Sequence, residues 1–229
     1  MNVAFPFTSP LPVSVALAMI ASVRRHVPGA HLIQMTDMLT DPLPGVDLIT
    51  RFPRGPDFIL FRFGLLDTLP RADTMMLDYD VIVQGDLAHV FKRPFDLALT
   101  RRDATDKTIS SFMLEKIPHN AGVMFSRKTG FEFWRGALSA YWLETSRNGW
   151  LDGAMAMELA LAKTRLNVLD LPCSRYNYTP ATPDEDVSMR VCVHYKGNRK
   201  AWIGGPEAAQ AGLNVAYNTI ARKFAHGSV

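Results

Sequence analysis

Cysteine, charge of a single sign and long apolar segments are all scarce in this chain of 229 residues. The two cysteines, Cys173 and Cys192, are too few for a disulfide framework and have no C-x-x-C spacing of the kind that binds zinc. We therefore predict two reduced core thiols and a cytoplasmic location. The formal net charge of +3 is too small to indicate nucleic-acid binding, which usually requires a clustered basic surface.

The apolar segment 11–23 has the features of neither a secretory signal nor a membrane span. The first basic residue, Arg24, follows the segment, whereas a signal peptide has basic residues before it. Crossing a bilayer takes about 20 apolar residues, so the segment predicts a buried helix instead. The basic pairs Arg101-Arg102 and Arg222-Lys223 are predicted to be solvated, and peripheral contact is the closest membrane association that we expect.

Segments of strand and helix periodicity alternate along most of the chain. Strands are predicted at residues 2–5, 31–35, 46–50, 74–77, 96–100, 121–125, 167–171 and 191–194. Helices are predicted to run from near Thr8 to Pro28, with Val13, Ile20 and Val23 on the apolar side, and at 57–69, 131–145, 152–163 and 207–224. The aromatic residues of 131–145, including Trp142, are predicted to pack together on one side of that helix. This alternation is typical of a single α/β domain, here residues 1–229, with a mixed, mostly parallel sheet covered on both faces.

Two aspartates, Asp78 and Asp80, follow the predicted strand 74–77. Residues two apart in an extended chain point to the same side, so both carboxylates can reach one ion. Oxygen ligands of this kind suit Mg²⁺ or Mn²⁺ with a bound diphosphate, and open α/β sheets bind ligands at the carboxyl ends of their strands. A D-x-D pair is also common in ordinary turns, and a nearby cation could equally neutralise it.

A second cluster begins at His194, which ends the predicted strand 191–194. A neutral imidazole can bind a metal, Gly197 permits close approach of a phosphate to the backbone, and Lys200 offers a charge to a diphosphate. A histidine with ordinary hydrogen-bond partners, beside a solvated basic loop, is the alternative interpretation.

Four segments, in this order, resemble the motifs of family 8 glycosyltransferases, which include glycogenin and bacterial galactosyltransferases. Residues 77–87 read L-D-Y-D-V-I-V-Q-G-D-L, and residues 120–124 read N-A-G-V-M. Leu171-Pro172 is followed by Asn177, and residues 194–202 match H-x-x-G-x-x-K-P-W except that Ala201 replaces proline. The resemblance implies a retaining enzyme of the GT-A fold, a Rossmann-like α/β domain, with a nucleotide-diphosphate sugar as donor and a glycan or glycolipid as acceptor.

Carried over residue by residue, the resemblance implies a site for Mn²⁺ or Mg²⁺ and a site for the donor. Asp78, Asp80 and His194 would bind the metal. The implied nucleotide- and donor-binding residues are Phe7, Thr8, Arg62, Tyr79, Asn120, Gly197 and Lys200.

The chain departs from the family where an Asp-Gln pair is usual, because it has Asp152-Gly153 there. Asp152 is the residue that the resemblance assigns to catalysis. The usual Asp and Tyr near Thr8 and Leu11 are missing as well. A metal-dependent retaining hexosyltransferase that uses UDP-glucose or UDP-galactose is the leading hypothesis. The alternatives are a haloacid-dehalogenase-like phosphatase, because of Asp78-x-Asp80-x-Ile82, and a non-catalytic sugar-nucleotide-binding module, because of Gly153.

Overall fold

The fold is built on a seven-stranded sheet in the computed structural model, which describes residues 1–55, 57–103, 111–145 and 150–203. The strand order is β3-β2-β1-β4-β7-β6-β8. The bounds are β1 Asn2–Pro6, β2 His31–Thr36, β3 Leu48–Arg51, β4 Thr74–Leu77, β5 Val81–Val83, β6 Leu97–Arg101, β7 His119–Ser126, β8 Val168–Pro172 and β9 Cys192–His194. β5 and β9 form a separate two-stranded antiparallel sheet.

Most of the pairings in the large sheet are parallel. β1 pairs with β2 and β4, β2 with β3, and β6 with β8, all in parallel. β7 lies antiparallel between β4 and β6. The single α/β domain with a mixed, mostly parallel sheet that the sequence predicts is therefore confirmed.

Helices cover both faces of this sheet. Their bounds are α1 Val13–His26, α2 Phe58–Asp67, α3 Ser111–Lys116, α4 Glu132–Glu144, α5 Trp150–Lys163 and α6 Cys173–Tyr176, with short 3-10 helices at Ala88–Lys92, Lys128–Phe131 and Gly197–Trp202. Met19 and Val23 of α1 pack into one core cluster, and side chains of α2, α4 and α5 form another on the opposite face. Among the described residues, no helix combines the length and apolar character that crossing a bilayer requires.

Local chemistry explains where several helices begin and end. The carboxylate of Asp57 caps α2 by accepting from the backbone N–H groups of Ile59 and Leu60, at 2.9 and 3.1 Å, as its position in the sequence predicts. Gly29 follows α1 with a φ of +77°, in the left-handed region where a glycine is favoured.

Five details of the sequence-based prediction are wrong or lie outside the described residues. α1 begins at Val13 rather than near Thr8. Val13 is 48% exposed, whereas Ile20 and Val23 of the predicted apolar side are buried as expected. Trp142, expected to pack with the other aromatic residues of α4, is 53% exposed. Arg102 is buried rather than solvated, because its guanidinium donates to the carbonyls of Ile117 and His119. The helix predicted at 207–224, with Arg222-Lys223, lies outside the described residues.

Both cysteines are free and buried, as the sequence predicts. Burial raises the pKa of Cys173 to about 11 and raises that of Cys192 further still. The thiolate form is therefore strongly disfavoured at neutral pH, which makes both thiols chemically inert.

Candidate functional site

Asp78, Asp80 and His194 meet at the carboxyl end of β4. The Nε2 atom of His194 lies 3.0 Å from Oδ1 of Asp80 and 3.5 Å from Oδ2 of Asp78. One ligand atom from each of the three residues lies within 4.8 Å of the others. Asp80 and His194 are buried and Asp78 is partly buried, so the three groups form one compact polar centre.

The small β5–β9 sheet is what brings the histidine to the aspartates. β5 begins directly after Asp80, and its first residue, Val81, pairs with His194 in the antiparallel register. The backbone N–H of Tyr195 also donates to the carbonyl of Asp80 at 3.0 Å. Because paired residues of two strands lie side by side, this register places the imidazole next to the D-x-D segment.

Two cations neutralise the two carboxylates. Arg62, from α2, reaches Oδ1 of Asp78 at 2.8 Å and also donates to the carbonyl of Ala121 at 2.9 Å. The ammonium of Lys200 lies 2.7 Å from Oδ2 of Asp80. Burial opposes the ionisation of Asp80, but the nearby charges and hydrogen bonds of His194 and Lys200 outweigh it and lower the pKa of Asp80 to about 2. Asp80 is therefore an ionised, acceptor-only group at neutral pH.

A chain of buried hydrogen bonds determines which nitrogen of His194 faces the aspartates. The Thr100 hydroxyl donates its proton to the carbonyl of Asn120 at 2.8 Å, so it accepts from the Nδ2 group of Asn177 at 2.7 Å. The Oδ1 atom of Asn177 then faces Nδ1 of His194 at 2.8 Å, and an amide oxygen can only accept. Nδ1 therefore carries a proton, and the Nε2 of a neutral ring presents its lone pair to Asp78 and Asp80.

Gly122 supplies the space that His194 occupies. A Cβ atom at this position would lie 2.3 Å from Cε1 and Nδ1 of the His194 ring and 3.2 Å from Oδ1 of Asn177. Contacts below 3.0 Å are essentially never seen, so a side chain at 122 and this placement of the imidazole exclude each other. The glycine of the N-A-G-V-M segment therefore has a packing role beside the site.

The chemistry of the three groups fits a divalent metal ion. Two carboxylates and an imidazole lone pair converge on one point, and Mn²⁺ and Mg²⁺ take oxygen and nitrogen ligands of these types. Metal-bound histidines usually donate the N–H of their other ring nitrogen to an oxygen acceptor, and Nδ1 of His194 makes this hydrogen bond to Asn177.

A cavity of about 640 Å³ opens beside this centre. Seven of the metal- and donor-binding residues that the sequence predicts line it: Arg62, Asp78, Asp80, Asn120, His194, Gly197 and Lys200. Gly197 has a φ of +60°, so backbone conformation favours a glycine there. The amide of Asn120 is held by the N–H of Gly122, which donates to its Oδ1 at 3.0 Å.

The predicted nucleotide-binding residues are Phe7, Thr8 and Tyr79, and none of them lines the cavity. Phe7 and Thr8 are each 2% exposed, just after β1. The Phe7 ring meets the ring of half-buried Tyr79 edge-on, with centroids 5.8 Å apart, and Tyr79 lies 5.5 Å from the ammonium of Lys200. Their role toward a nucleotide stays a prediction.

Asp152, the predicted catalytic residue, lies in the first turn of α5 and is partly buried. It does not line the cavity, whereas its neighbours Gly153 and Ala154 do. A Cβ atom at Gly153 would lie 2.9 Å from Cγ2 of Ile59, so the close contact between α2 and α5 limits what can stand at this position. The catalytic assignment of Asp152 stays a prediction.

Comparison with known proteins gives structural neighbours only, because no protein-family model and no curated protein sequence matches the chain. The galactosyltransferase LgtC, solved in complex with donor and acceptor sugar analogs, is 15% identical with a TM-score of 0.63, and the match covers 96% of both chains. The bifunctional glycosyltransferase WbbM, solved in its apo form, is 12% identical with a TM-score of 0.66. The glycosyltransferase GlyE of Streptococcus pneumoniae TIGR4 is 18% identical with a TM-score of 0.60. The matches cover 51% of the WbbM chain and 63% of the GlyE chain.

The fold is that of the GT-A glycosyltransferases. Identities of 12–18% establish the shared fold, and membership of family 8 stays a prediction that rests on the motifs.

Sequence reasoning missed several residues of this site. Thr100 and Asn177 orient the imidazole of His194, although the motif match included Asn177 without a role. Arg102 and Lys196 line the cavity, and the only sequence signal was that each lies within two residues of a predicted strand end. The apolar lining from α2, α4 and α5 could not be found from sequence, because core side chains and cavity side chains have the same periodicity.

Proposed function

We propose that this chain is a metal-dependent retaining glycosyltransferase that moves a hexose from a nucleotide-diphosphate sugar to a glycan or lipid-linked acceptor. The observation that carries the proposal is the convergence of Asp78, Asp80 and His194 beside a cavity lined by Arg62 and Lys200. UDP-glucose and UDP-galactose are the proposed donors. The catalytic domain is proposed to span residues 1–229, in the cytoplasm, with at most peripheral membrane contact.

In this proposal Asp78, Asp80 and His194 hold Mn²⁺ or Mg²⁺. A divalent ion held by these residues would neutralise charge on the donor diphosphate, which would make the diphosphate a better leaving group. Lys200 already pairs with Asp80, and Arg62 with Asp78, so both cations are in place to exchange a carboxylate partner for the donor. Lys200 and the backbone at Gly197 hold the diphosphate, while Arg62 and Asn120 bind the donor sugar. Phe7, Thr8 and Tyr79 contact the nucleotide.

Retention of the anomeric configuration requires either a carboxylate nucleophile or attack on the face that the diphosphate leaves. We favour same-face attack, because no side-chain amide accompanies Asp152 at the neighbouring position, Gly153. The acceptor oxygen forms a bond to the anomeric carbon while the bond from that carbon to the diphosphate oxygen breaks. The departing diphosphate oxygen takes the acceptor proton, which balances the reaction. Asp152 then has the role of positioning the sugar hydroxyls from the first turn of α5.

The two alternatives make different demands on the site. A haloacid-dehalogenase-like phosphatase would use Asp78 as a nucleophile in the first strand segment of its domain, whereas here Asp78 follows the fourth strand of a GT-A fold. A non-catalytic sugar-nucleotide-binding module would share the donor site but would not cleave the bond between the sugar and the diphosphate. Turnover distinguishes this module from the proposed enzyme.

A thermal-unfolding panel tests the donor and metal parts of the proposal. UDP-glucose, UDP-galactose, GDP-glucose and CDP-glucose are compared with and without MnCl₂. A ligand at about 100 times its dissociation constant stabilises the folded state by about 2.7 kcal/mol, which is readily measured. We expect stabilisation by the UDP-sugars only with the metal present. Asp80→Asn should abolish it while leaving the fold intact.

His194→Ala is the second variant in this panel, and it should weaken the same metal-dependent stabilisation. Asp86→Asn is a matched control, since Asp86 is an exposed aspartate whose carboxylate accepts from the N–H of Ala88 away from the cavity. UDP affinity that is unchanged in Asp80→Asn with manganese present would refute the metal assignment. Proton NMR of the first-formed product then tests retention, and an inverted anomer would exclude the proposed mechanism.

A further inference from the structure

The cavity beside the metal-site residues has two chemically different sides. Arg62, Asp78, Asp80, Asn120 and His194 belong to the polar side. Another part of the lining comes from side chains of α2, β7, α4 and α5, which we call the apolar side: Ile59, Phe63, Leu66, Met124, Trp134 and Met157. All six are at most 8% exposed and belong to one core cluster, so the cavity reaches directly into the hydrophobic core.

The apolar side is poorly suited to a sugar ring. A hexose carries hydroxyl groups around its ring, and a hydroxyl buried without a hydrogen-bond partner loses much of its hydration energy without compensation. Five of the six side chains offer a sugar hydroxyl no conventional hydrogen-bond partner, and the sixth, Trp134, offers a single indole N–H. An apolar group, by contrast, gains free energy from leaving water for this wall.

The small residues of α5 keep this wall open and apolar. Gly153 and Ala154 line the cavity, and the close approach of Ile59 to Gly153 leaves no room for a longer side chain without a shift of α2 or α5. Trp150, at the start of α5, also lines the cavity and is 58% exposed. A large aromatic ring that is half in solvent and half in a cavity is suited to covering an apolar ligand at the entrance.

The proposed function assigns the polar side to the donor, so the occupant of the apolar side is the other substrate. The acceptor hydroxyl must reach the anomeric carbon held near Arg62 and Asn120, and the cavity continues from there to the apolar side. We infer that the acceptor is a glycoside with an alkyl or aryl group next to its sugar, and that this group lies against the apolar side under Trp150. This inference rests on the proposed function and narrows its acceptor class.

Calorimetric titration with a matched series of acceptor analogues tests the inference. Methyl, hexyl and phenyl β-D-glucopyranosides are compared with the same three β-D-galactopyranosides, each with UDP and MnCl₂ present. We expect the hexyl and phenyl members to bind at least about tenfold more tightly than the methyl member of the same sugar, because they bury more apolar surface. Equal binding of methyl, hexyl and phenyl glycosides would overturn the inference.

Two exposed tryptophans provide a matched pair of variants. Trp150→Ser removes the ring at the cavity entrance and should weaken phenyl-glycoside binding by about 2- to 10-fold, with little change for the methyl glycoside. Trp142→Ser is the control, because Trp142 is 53% exposed on α4 and does not line the cavity. Equal losses in both variants, or none in Trp150→Ser, would contradict the placement of the apolar group.

A second arm separates failure of this inference from failure of the proposed function. Binding of UDP with manganese is measured without any glycoside, so its loss counts against the proposed donor site alone. A different result would be that UDP binds and that Trp150→Ser weakens binding of UDP-N-acetylglucosamine but not of the alkyl glycosides. In that case the apolar side receives a substituent of the donor. That result would overturn the acceptor assignment.

Discussion

The orientation of His194 depends on residues that do not themselves reach the ligand position. Asn177 is 2% exposed and bonds to Nδ1, Thr100 orients the Asn177 amide, and Gly122 leaves room for the ring. Each contributes something different: a hydrogen-bond acceptor, the direction of that acceptor, and empty space. These contributions can be tested separately.

Replacing Asn177 should change metal affinity through the tautomer of His194. Asn177→Leu removes the acceptor for the Nδ1 proton, and we expect Mn²⁺ affinity to fall by about 10- to 100-fold. Asn177→Asp keeps an oxygen at that position and should stay within a few-fold of the natural protein. Calorimetric Mn²⁺ titration at several pH values measures both, and equal losses in the two variants would show that Asn177 acts only through packing.

Adding one methyl group at Gly122 should displace the imidazole. Gly122→Ala places a Cβ atom 2.3 Å from the His194 ring, so we expect at least tenfold weaker Mn²⁺ binding and a loss of about 1–3 kcal/mol in the free energy of unfolding. Gly85→Ala is the control, because a Cβ there meets only Val191, at an ordinary 3.6 Å. Mn²⁺ titration and urea unfolding measure the two effects. Metal binding that survives in Gly122→Ala would mean that His194 is not a ligand in this orientation.

At the scale of elements, the contact between α2 and α5 shapes one wall of the cavity. Arg62 on α2 reaches Asp78, and Gly153 on α5 packs against Ile59 of the same α2 helix. The tyrosine hydroxyl of Tyr141 on α4 donates to Asp57, the residue that caps α2, at 3.0 Å. The position of α2 is therefore set jointly by α4 and α5, and the placement of Arg62 follows from it.

Two helical glycines allow this contact to be measured. Alanine favours a helix over glycine by about 1 kcal/mol, and Gly136→Ala on α4 should gain about that much because its Cβ meets Ala160 at 3.7 Å. Gly153→Ala has the same gain in helix propensity, but its Cβ atom would lie only 2.9 Å from Cγ2 of Ile59. We therefore expect the Gly153→Ala protein to be at least about 1 kcal/mol less stable than the Gly136→Ala protein. Urea unfolding gives both values. In an Ile59→Ala background the difference should shrink, and a difference that persists would assign the cost to something other than Ile59.

At the scale of the whole molecule, the site lies where the sheet changes direction. From β1 the chain builds outward through β2 and β3, and β4 then joins on the other side of β1. Phe7 follows β1 and Asp78 follows β4, so the two segments flank the crevice that open α/β sheets use for ligands. The strands beyond β4 contribute Asn120 and, through the β5–β9 sheet, His194.

A buried histidine outside the site ties three elements of this sheet and its helical layer together. Nδ1 of His119 on β7 lies 3.1 Å from both carboxylate oxygens of Glu158 on α5, and Nε2 lies 3.0 Å from Asp170 on β8. Arg101 reaches the other oxygen of Asp170 at 2.8 Å. Burial opposes protonation of His119, but Glu158 and Asp170 outweigh it and raise the pKa of His119 above its ordinary value.

This cluster makes the stability of the protein depend on pH. The pKa of His119 is raised in the folded state, so its contribution is complete below the unfolded value of about 6.5 and is lost as the pH rises through the folded value. We expect His119→Gln to lower the free energy of unfolding by about 1–3 kcal/mol at low pH and by less at high pH. Urea unfolding between about pH 5.5 and about pH 9 measures it. A loss that is constant over this range would show that His119 is not charged in the cluster.

Much of the architecture follows from local sequence, because the signals are local. The alternation of apolar periods predicts an α/β domain, Asp57 marks the start of α2, and the two aspartates after β4 predict an oxygen-ligand site at a strand end. The types of residue at 78, 80 and 194 permit a metal ion, and the resemblance of the motifs implies one. None of these inferences requires knowing which segments meet in space.

The tertiary structure decides everything that depends on pairing and packing. Only the antiparallel register of β5 with β9 places His194 beside Asp80, and no local pattern encodes a register between segments so far apart in the chain. Val13 and Trp142 are exposed and Arg102 is buried because of how other elements pack around them, which the periodicity of a single segment does not determine. The same holds for the Thr100–Asn177–His194 chain and for the apolar side of the cavity. Side chains from separate elements form both, and they become neighbours only when the helices and strands have packed.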